Sequence, residues 1–246
     1  MLPTKWSKLR VVRKKRASRT IKALSWLFRY EKQVLSAAKQ NDQIKLRSLL
    51  NTGLDLDVNV KNWDGVTPLH LATGRQNLKI VKLLLENDAN VNIQIVAGYT
   101  PLHYSAREGS IEILRVLLEH GADVDSRGQF GDTALHYAVV DKRTDLEMSE
   151  LLLRYRADVN AQINVKMTFL HLAVLNGNLD TVKLLLRSGA DRYLKDDLGE
   201  SAKDAVEFEL ESHLNSSDLY AAVELLDNYA LSEMLSDKRP PKPPRR

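Results

Sequence analysis

The chain is 246 residues long, 43% hydrophobic, 28% charged, only 6% aromatic and free of cysteine, which suits a Leu/Ala/Val core and excludes disulfides, thiolate catalysis and cysteine-based zinc sites. The net charge of +4 is unevenly spread: residues 1–30 hold ten Lys/Arg and no acid, residues 238–246 hold five, and residues 31–237 keep 21 bases against all 32 acids, a net of −11. No apolar run reaches the ~18–20 residues of a membrane helix and the N-terminus lacks a signal-type apolar core, so a cytoplasmic or nuclear protein is expected.

In chain order, residues 1–30 read as a basic arm followed by a capping helix. Bases cluster at Arg13, Lys14, Lys15 and Arg16, and from Ser18 onward Ile21, Leu24, Phe28 and Leu35 fall at helical spacing. The cluster is open to four readings: a nuclear import signal recognised by an importin, a nucleic-acid contact, an anionic-surface contact, or a solvated tail. Ser18, preceded by Lys15 and Arg16, is a candidate basophilic-kinase site whose phosphate would lower the local charge.

Residues 31–205 are dominated by a word that recurs. Asp64-Gly65-Val66-Thr67-Pro68-Leu69-His70-Leu71-Ala72 returns as Gly98-Tyr99-Thr100-Pro101-Leu102-His103, Gly131-Asp132-Thr133-Ala134-Leu135-His136 and Lys166-Met167-Thr168-Phe169-Leu170-His171, with threonines 33, 33 and 35 residues apart. Sixteen residues after the first, second and fourth threonines stands an aliphatic cluster, Leu83-Leu84-Leu85, Val116-Leu117-Leu118 and Leu184-Leu185-Leu186. A fixed period of this size means stacked units that bury a continuous core only together. The expected units are 31–60 as an N-terminal cap, then 61–93, 94–126, 127–161 and 162–194, with a C-terminal cap beginning at 195–205.

The details carry further expectations. In the cap, Leu35, Ala38, Ile44, Leu46, Leu49 and Leu50 match Leu69, Ala72, Leu78, Ile80, Leu83 and Leu84 at a shift of 34 residues. Gly121 and Gly189 follow second helices where a left-handed backbone is needed, while Asp88 and Arg156 take those places elsewhere and should strain their ends. Lys166 stands where the other copies have Gly65, Gly98 and Gly131, which predicts a different turn conformation there. A two-residue insertion falls in 141–145, either a tolerated loop extension or a polar contact through Asp141. Residues 206–218 are expected to interrupt the last unit before capping helices within 206–237. The tail 238–246 should favour polyproline II, and Pro240-x-x-Pro243-x-Arg245 fits one orientation of an SH3-type ligand as well as a solvated basic terminus.

Candidate chemistry is sparse. His70, His103, His136 and His171 recur at one repeat thickness, roughly 10 Å, too far apart to share a metal. Ser105, Asp132 and His136 could lie near one another but without an oxyanion donor set, and no phosphate-cradling glycine loop is present. Neither a cofactor nor an enzymatic activity is expected.

The repeated word and its spacing resemble the ankyrin repeat, a β-turn followed by two antiparallel helices. The resemblance implies an all-α solenoid of about six units, the outer two acting as caps. It also implies a non-catalytic module that binds one or more proteins as an intracellular adaptor or regulator, with nucleic acid an unlikely partner. Turn tips and inner helix faces escape the packing pattern, which marks Trp63, Val66, Arg75, Tyr99, Arg107, Glu108, Phe130, Asp132 and Asp141 as candidate contacts. Trp63, Tyr99 and Phe130 are expected to form an exposed aromatic row, or else to fold back on neighbouring turns. The wording of 157–162 and 168–174 is similar to that of the NF-κB inhibitors, which implies transcription-factor regulation as an alternative. The resemblance also implies hydroxylation of Asn160, with Leu152 eight residues before it and Asp158-Val159 adjacent, in preference to Asn92.

Overall fold

The computed structural model describes residues 30–52, 56–138, 145–212 and 217–236. The basic cluster with Ser18, the tail with Pro240, Pro243 and Arg245, and Asp141 lie outside the described residues. Among those described, twelve helices run in antiparallel pairs and no strand forms, only two isolated bridges. Helix α1 covers 30–39 and is followed by α2 (Gln43–Leu50), α3 (Pro68–Gly74), α4 (Leu78–Leu85), α5 (Pro101–Arg107) and α6 (Ile111–Glu119). Then come α7 (Ala134–Tyr137), α8 (Asp145–Arg154), α9 (Phe169–Leu175), α10 (Leu179–Arg187), α11 (Ala202–Ser212) and α12 (Ser217–Ser236). Helices α3, α5, α7, α9 and α11 pack in sequence on one side, and α2, α4, α6, α8, α10 and α12 form a second row behind them. The core runs unbroken between the rows, through Leu46, Leu69, Leu84, Leu102, Leu117, Leu135, Leu152, Leu170, Leu185 and Leu226.

Helices α3, α5, α7 and α9 each start at a Thr-x-x-His box. The threonine N–H donates to the histidine Nδ1, at 3.3, 3.1, 3.1 and 3.1 Å for Thr67–His70, Thr100–His103, Thr133–His136 and Thr168–His171. Because Nδ1 accepts, the ring hydrogen resides on Nε2, which donates to a backbone carbonyl of the next unit for His70 (Tyr99, 3.2 Å), His103 (Asp132, 3.2 Å) and His171 (Glu200, 3.3 Å), and to Ala161 at the end of its own unit for His136 (3.1 Å). The histidines are thus structural connectors, spent on both nitrogens. Burial pushes His70 and His136 down to about 4, and lowers His103 and His171 as well.

The chain ends this ladder by a substitution. Ser201 and Asp204 occupy the Thr and His places, and the Asp204 carboxylate accepts from Ser201 N (2.9 Å) and Ser201 Oγ (2.8 Å), which lowers its pKa. A carboxylate has no hydrogen to pass on, so the last unit makes the box without the link. Helix α11 continues to Ser212 and α12 begins at Ser217, so the expected interruption at 206–218 does not hold for 206–212, where Val206 and Leu210 are buried and carry the helix on. Helix α12 then covers the final repeat, with Leu219, Ala222 and Leu226 inward and the Tyr229 hydroxyl donating to Leu186 O at 2.8 Å.

Two further expectations need correction. The first unit aligns at a shift of 35, not 34: left-handed Asn41 matches Gln76, and Asp42 caps Lys45 N at 2.9 Å as Asn77 caps Ile80 N at 3.0 Å. One residue turns a helix face by about 100°, so Val34 and Ala37 take the fully buried places, Leu35 is half-buried and Ile44 faces water. Lys166 keeps the same left-handed backbone as the glycines it replaces, φ 57° against 79°, 79° and 76°. The turn's hydrogen bonds outweigh the strain of a side chain there.

Asp88 (φ 61°) and Arg156 (φ 67°) also hold the left-handed conformation of Gly121 and Gly189, around which nothing lies within 4 Å of an added Cβ. Arg156→Gly should therefore raise stability by about 1 kcal/mol, and Asp88→Gly by less, since Asp tolerates this region better. Urea midpoints of the two variants check the order. A second expectation concerns pH. Folding holds the four ladder imidazoles neutral while the unfolded chain protonates near the ordinary 6.5, so their contribution is complete above that pH. It falls as pH drops towards about 4, the value of folded His70 and His136, by about 1.4 kcal/mol per pH unit for each ring that stays neutral only when folded. Urea unfolding at pH 7 and pH 5 should show this loss, reduced in His136→Gln.

Candidate functional site

Beyond the ladder lie five hairpin turns of one construction. In each, an N–H at the entry donates to a carbonyl four residues on: Asn62 to Val66 (3.0 Å), Ile95 to Tyr99 (3.0 Å), Gly128 to Asp132 (2.8 Å), Ile163 to Met167 (3.0 Å) and Asp196 to Glu200 (2.9 Å). In the first and last turns the entry side chain also caps the tip, Asn62 Oδ1 accepting from Asp64 N and Val66 N, and Asp196 Oδ1 from Leu198 N and Glu200 N.

The third turn has Gly128 at the entry and cannot cap itself in this way. Asp132 supplies the carboxylate from the exit side and accepts from Phe130 N at 3.2 Å, the amide equivalent to Asp64 N. A Cβ on Gly128 would lie 2.3 Å from Tyr99 Cε1, so the Tyr99 ring closes over the glycine. It also meets His103 and Tyr137 edge-on, with centroids 5.5 and 6.2 Å away. Two candidate contacts therefore change character. Tyr99 is half-buried and leaves the expected aromatic row, and Asp132 is a buried turn-forming residue. Burial, with the Tyr99 hydroxyl and the Asp132 carboxylate beside it, raises the Tyr137 pKa and holds its hydroxyl protonated.

The other candidates stand nearer solvent. Trp63, Phe130, Arg75 and Arg107 are exposed, and Val66 and Glu108 are half-buried. Arg107 Nη2 pairs with Glu108 Oε1 at 2.9 Å, and its guanidinium lies over the Tyr104 ring, 4.8 Å from the centroid. Tyr104 leans on Gly74, 3.2 Å from where a Cβ would stand, and meets His70 edge-on at 5.3 Å. Tyr104 and Tyr137, absent from the sequence-derived candidates, follow the ladder histidines where Leu71 and Leu172 stand in the flanking units. That contrast is the signal that would have found them. Tyr104 on α5, Tyr137 on α7 and Tyr99 on the turn before α5 give the middle units three amphipathic rings.

Catalytic geometry is not assembled from the residues considered for it. Ser105 Oγ donates to Leu102 O at 2.8 Å and His136 is spent on Thr133 and Ala161 O, so neither reaches the other. Among the described residues no group of three His, Asp or Glu could hold a metal ion, and no helix is long and apolar enough to cross a membrane.

A family model described as ankyrin repeats (three copies) matches residues 34–128 and again 124–196. None of the curated proteins compared matches the chain.

The two aromatic candidates should now separate in a stability measurement. Tyr99→Ala uncovers Gly128 and empties a half-buried site, an expected loss of about 2 kcal/mol, whereas Trp63→Ala should stay within about 0.5 kcal/mol of the parent. Chemical denaturation of the two variants reads the difference directly.

Proposed function

Because the chain belongs to the ankyrin-repeat family, whose repeats are protein-interaction modules, we propose that it is an adaptor or regulator binding a partner protein through the inner face and turn tips of its middle units. The observation carrying this reading is the half-exposed cluster at the end of α5, where Arg107 stacks on Tyr104 and pairs with the C-cap Glu108, in the same middle units as the exposed tip residues Trp63 and Phe130. Large amphipathic rings and a stacked arginine are the side chains that most often carry binding energy when a partner buries them. Arg75 and the Arg107–Glu108 pair, at the water-exposed margin, would steer encounter and orientation more than affinity.

The adaptor reading is preferred to an inhibitor of the NF-κB type because the residues that suggest the latter serve the fold. Asn160 Oδ1 accepts from Asp191 N at 2.8 Å, as Asn92 Oδ1 accepts from Asp123 N at 2.8 Å, so this wording is the interlock between loops. Hydroxylation of Asn160 stays part of the proposal: its amide sits 3.5 Å from Gly189 O, against 3.0 Å for Asn92 to Gly121 O, and is the less firmly held of the two.

The test is affinity recovery from cell extract with quantitative mass spectrometry, comparing the parent with Arg107→Glu and with Trp63→Ala/Phe130→Ala. Specific partners should be depleted at least tenfold with Arg107→Glu at an unchanged melting temperature. Recovery equal to the parent for both variants would refute the assignment of this face.

A further inference from the structure

Every turn offers two tip positions to water, and in every turn one of the two is a large apolar residue. The pairs are Trp63-Asp64, Val96-Ala97, Gln129-Phe130, Asn164-Val165 and Asp197-Leu198. The apolar members are 100%, 82%, 58%, 49% and 81% exposed in that order. Turn tips ordinarily take Asn, Asp, Gly or Ser, which satisfy local backbone or tolerate its conformation, so neither folding nor solubility asks for tryptophan, phenylalanine, valine or leucine here. Five in succession, one on each turn, make an apolar row along the turn tips. The row steps by one residue between Val96 and Phe130, the place where Tyr99 turned inward.

The spacing and the backbone together say what shape fits it. Packed helices are 8–10 Å apart, so the row advances by roughly 10 Å per unit and spans roughly 40 Å. An α-helix advances about 10.5 Å in seven residues, and an extended chain covers about the same in three. The backbone separates these. Strand addition needs a run of free amides, but six of the ten tip amides are used within the turns and between them: Asp64, Phe130 and Leu198 N donate to turn side chains, Val96 N donates to Asp64 O (2.9 Å), Asn164 N to Phe130 O (2.7 Å) and Asp197 N to Val165 O (3.1 Å). A helix asks nothing of the tip backbone, because its own hydrogen bonds are internal.

Charge supplies the remaining specification. Two or three residues before each apolar tip residue stand Lys61, Gln94, Arg127, Gln162 and Lys195, a lane with three bases and no acid in a segment that is otherwise net acidic. Lys61, Arg127 and Lys195 are exposed. On the other flank Lys166 is already paired with Asp197 at 3.1 Å.

We propose that the tip row docks an amphipathic α-helix of a partner protein, apolar at every seventh residue and acidic along the flank that meets Lys61, Arg127 and Lys195. This rests on the protein-interaction reading above and adds the shape and charge of the partner. An extended peptide and an anionic membrane are the competing occupants, and each has its own arm in the test.

The full chain is titrated against labelled synthetic peptides followed by fluorescence anisotropy. One is a helix of about 29 residues with leucine at every seventh position and glutamate on the flank, long enough to match the row. A second replaces the glutamates by lysine, a third is extended by prolines with leucine at every third residue, and vesicles of phosphatidylserine and phosphatidylcholine form the last arm. The acidic helix should bind at least tenfold more tightly than either other peptide, weaken with added salt, and lose at least tenfold in affinity to Val165→Asp/Leu198→Asp at an unchanged melting temperature. Preference for the extended peptide, vesicle binding without helix binding, or full affinity in the tip variant would overturn it. If the acidic helix fails while Arg107→Glu still abolishes partner recovery from extract, the helix assignment falls and the interaction reading stands.

Discussion

The link on which this molecule depends is the hydrogen bond from a buried, neutral histidine to a carbonyl of the next unit or, for His136, to the last carbonyl before it. No unit here is large enough to bury its own apolar face, so stability resides in the interfaces. Hydrophobic burial holds two units together without fixing their register, whereas a donor 3.1–3.3 Å from one particular carbonyl does fix it. The same ring caps its own helix through Nδ1, so one side chain sets both the start of a helix and the position of its neighbour. Protonation would put a hydrogen on Nδ1 and a charge in the core, setting the cap against the link. Burial opposes that, and the lowered pKa values are its measure.

Once the units are registered, the turns are brought into line and become a surface. Their hydrogen bonds are nearly identical although their residues differ, and the differences show how the same geometry is met in several ways. Lys166 takes a glycine's backbone, and Asp132 caps from the exit side what Asn62 and Asp196 cap from the entry. Because backbone requirements are met internally, the tip side chains are released from structural duty. That freedom lets the inner helices carry Tyr104 and Arg107 and the tips carry Trp63 and Phe130.

The middle of the array is where the pattern is most altered and where the candidate surface lies. Helix α7 has only four residues, Ala134–Tyr137, against seven in α3, α5 and α9. Gly128, Asp132, Tyr99 and Tyr137 are mutually dependent there, since the glycine admits the ring and the carboxylate repairs the turn that the glycine leaves uncapped. A change in one of these four residues is felt in the others, which makes the middle units the least interchangeable part of the stack.

The sequence by itself determined the all-α repeat architecture, the separation of the four histidines along the stack and the left-handed sites at Asp88 and Arg156. These follow from local rules: a capping threonine, a period near 33, a residue that must follow a helix end. Trp63 and Phe130 were also legible as tip residues, because turn positions are set by the same local spacing. Only the tertiary structure decided the fates of Tyr99 and Asp132, since both depend on Gly128, which is distant from Tyr99 in sequence and adjacent in space. It likewise decided the register of the first unit, where residues of similar hydrophobicity at neighbouring positions leave the apolar pattern equally well matched by two shifts. Packing against α4 and the paired caps at Asp42 and Asn77 select one of them. The extent of α11 belongs with these, because its added turns are stabilised by α9 and α12, partners that a local pattern cannot specify.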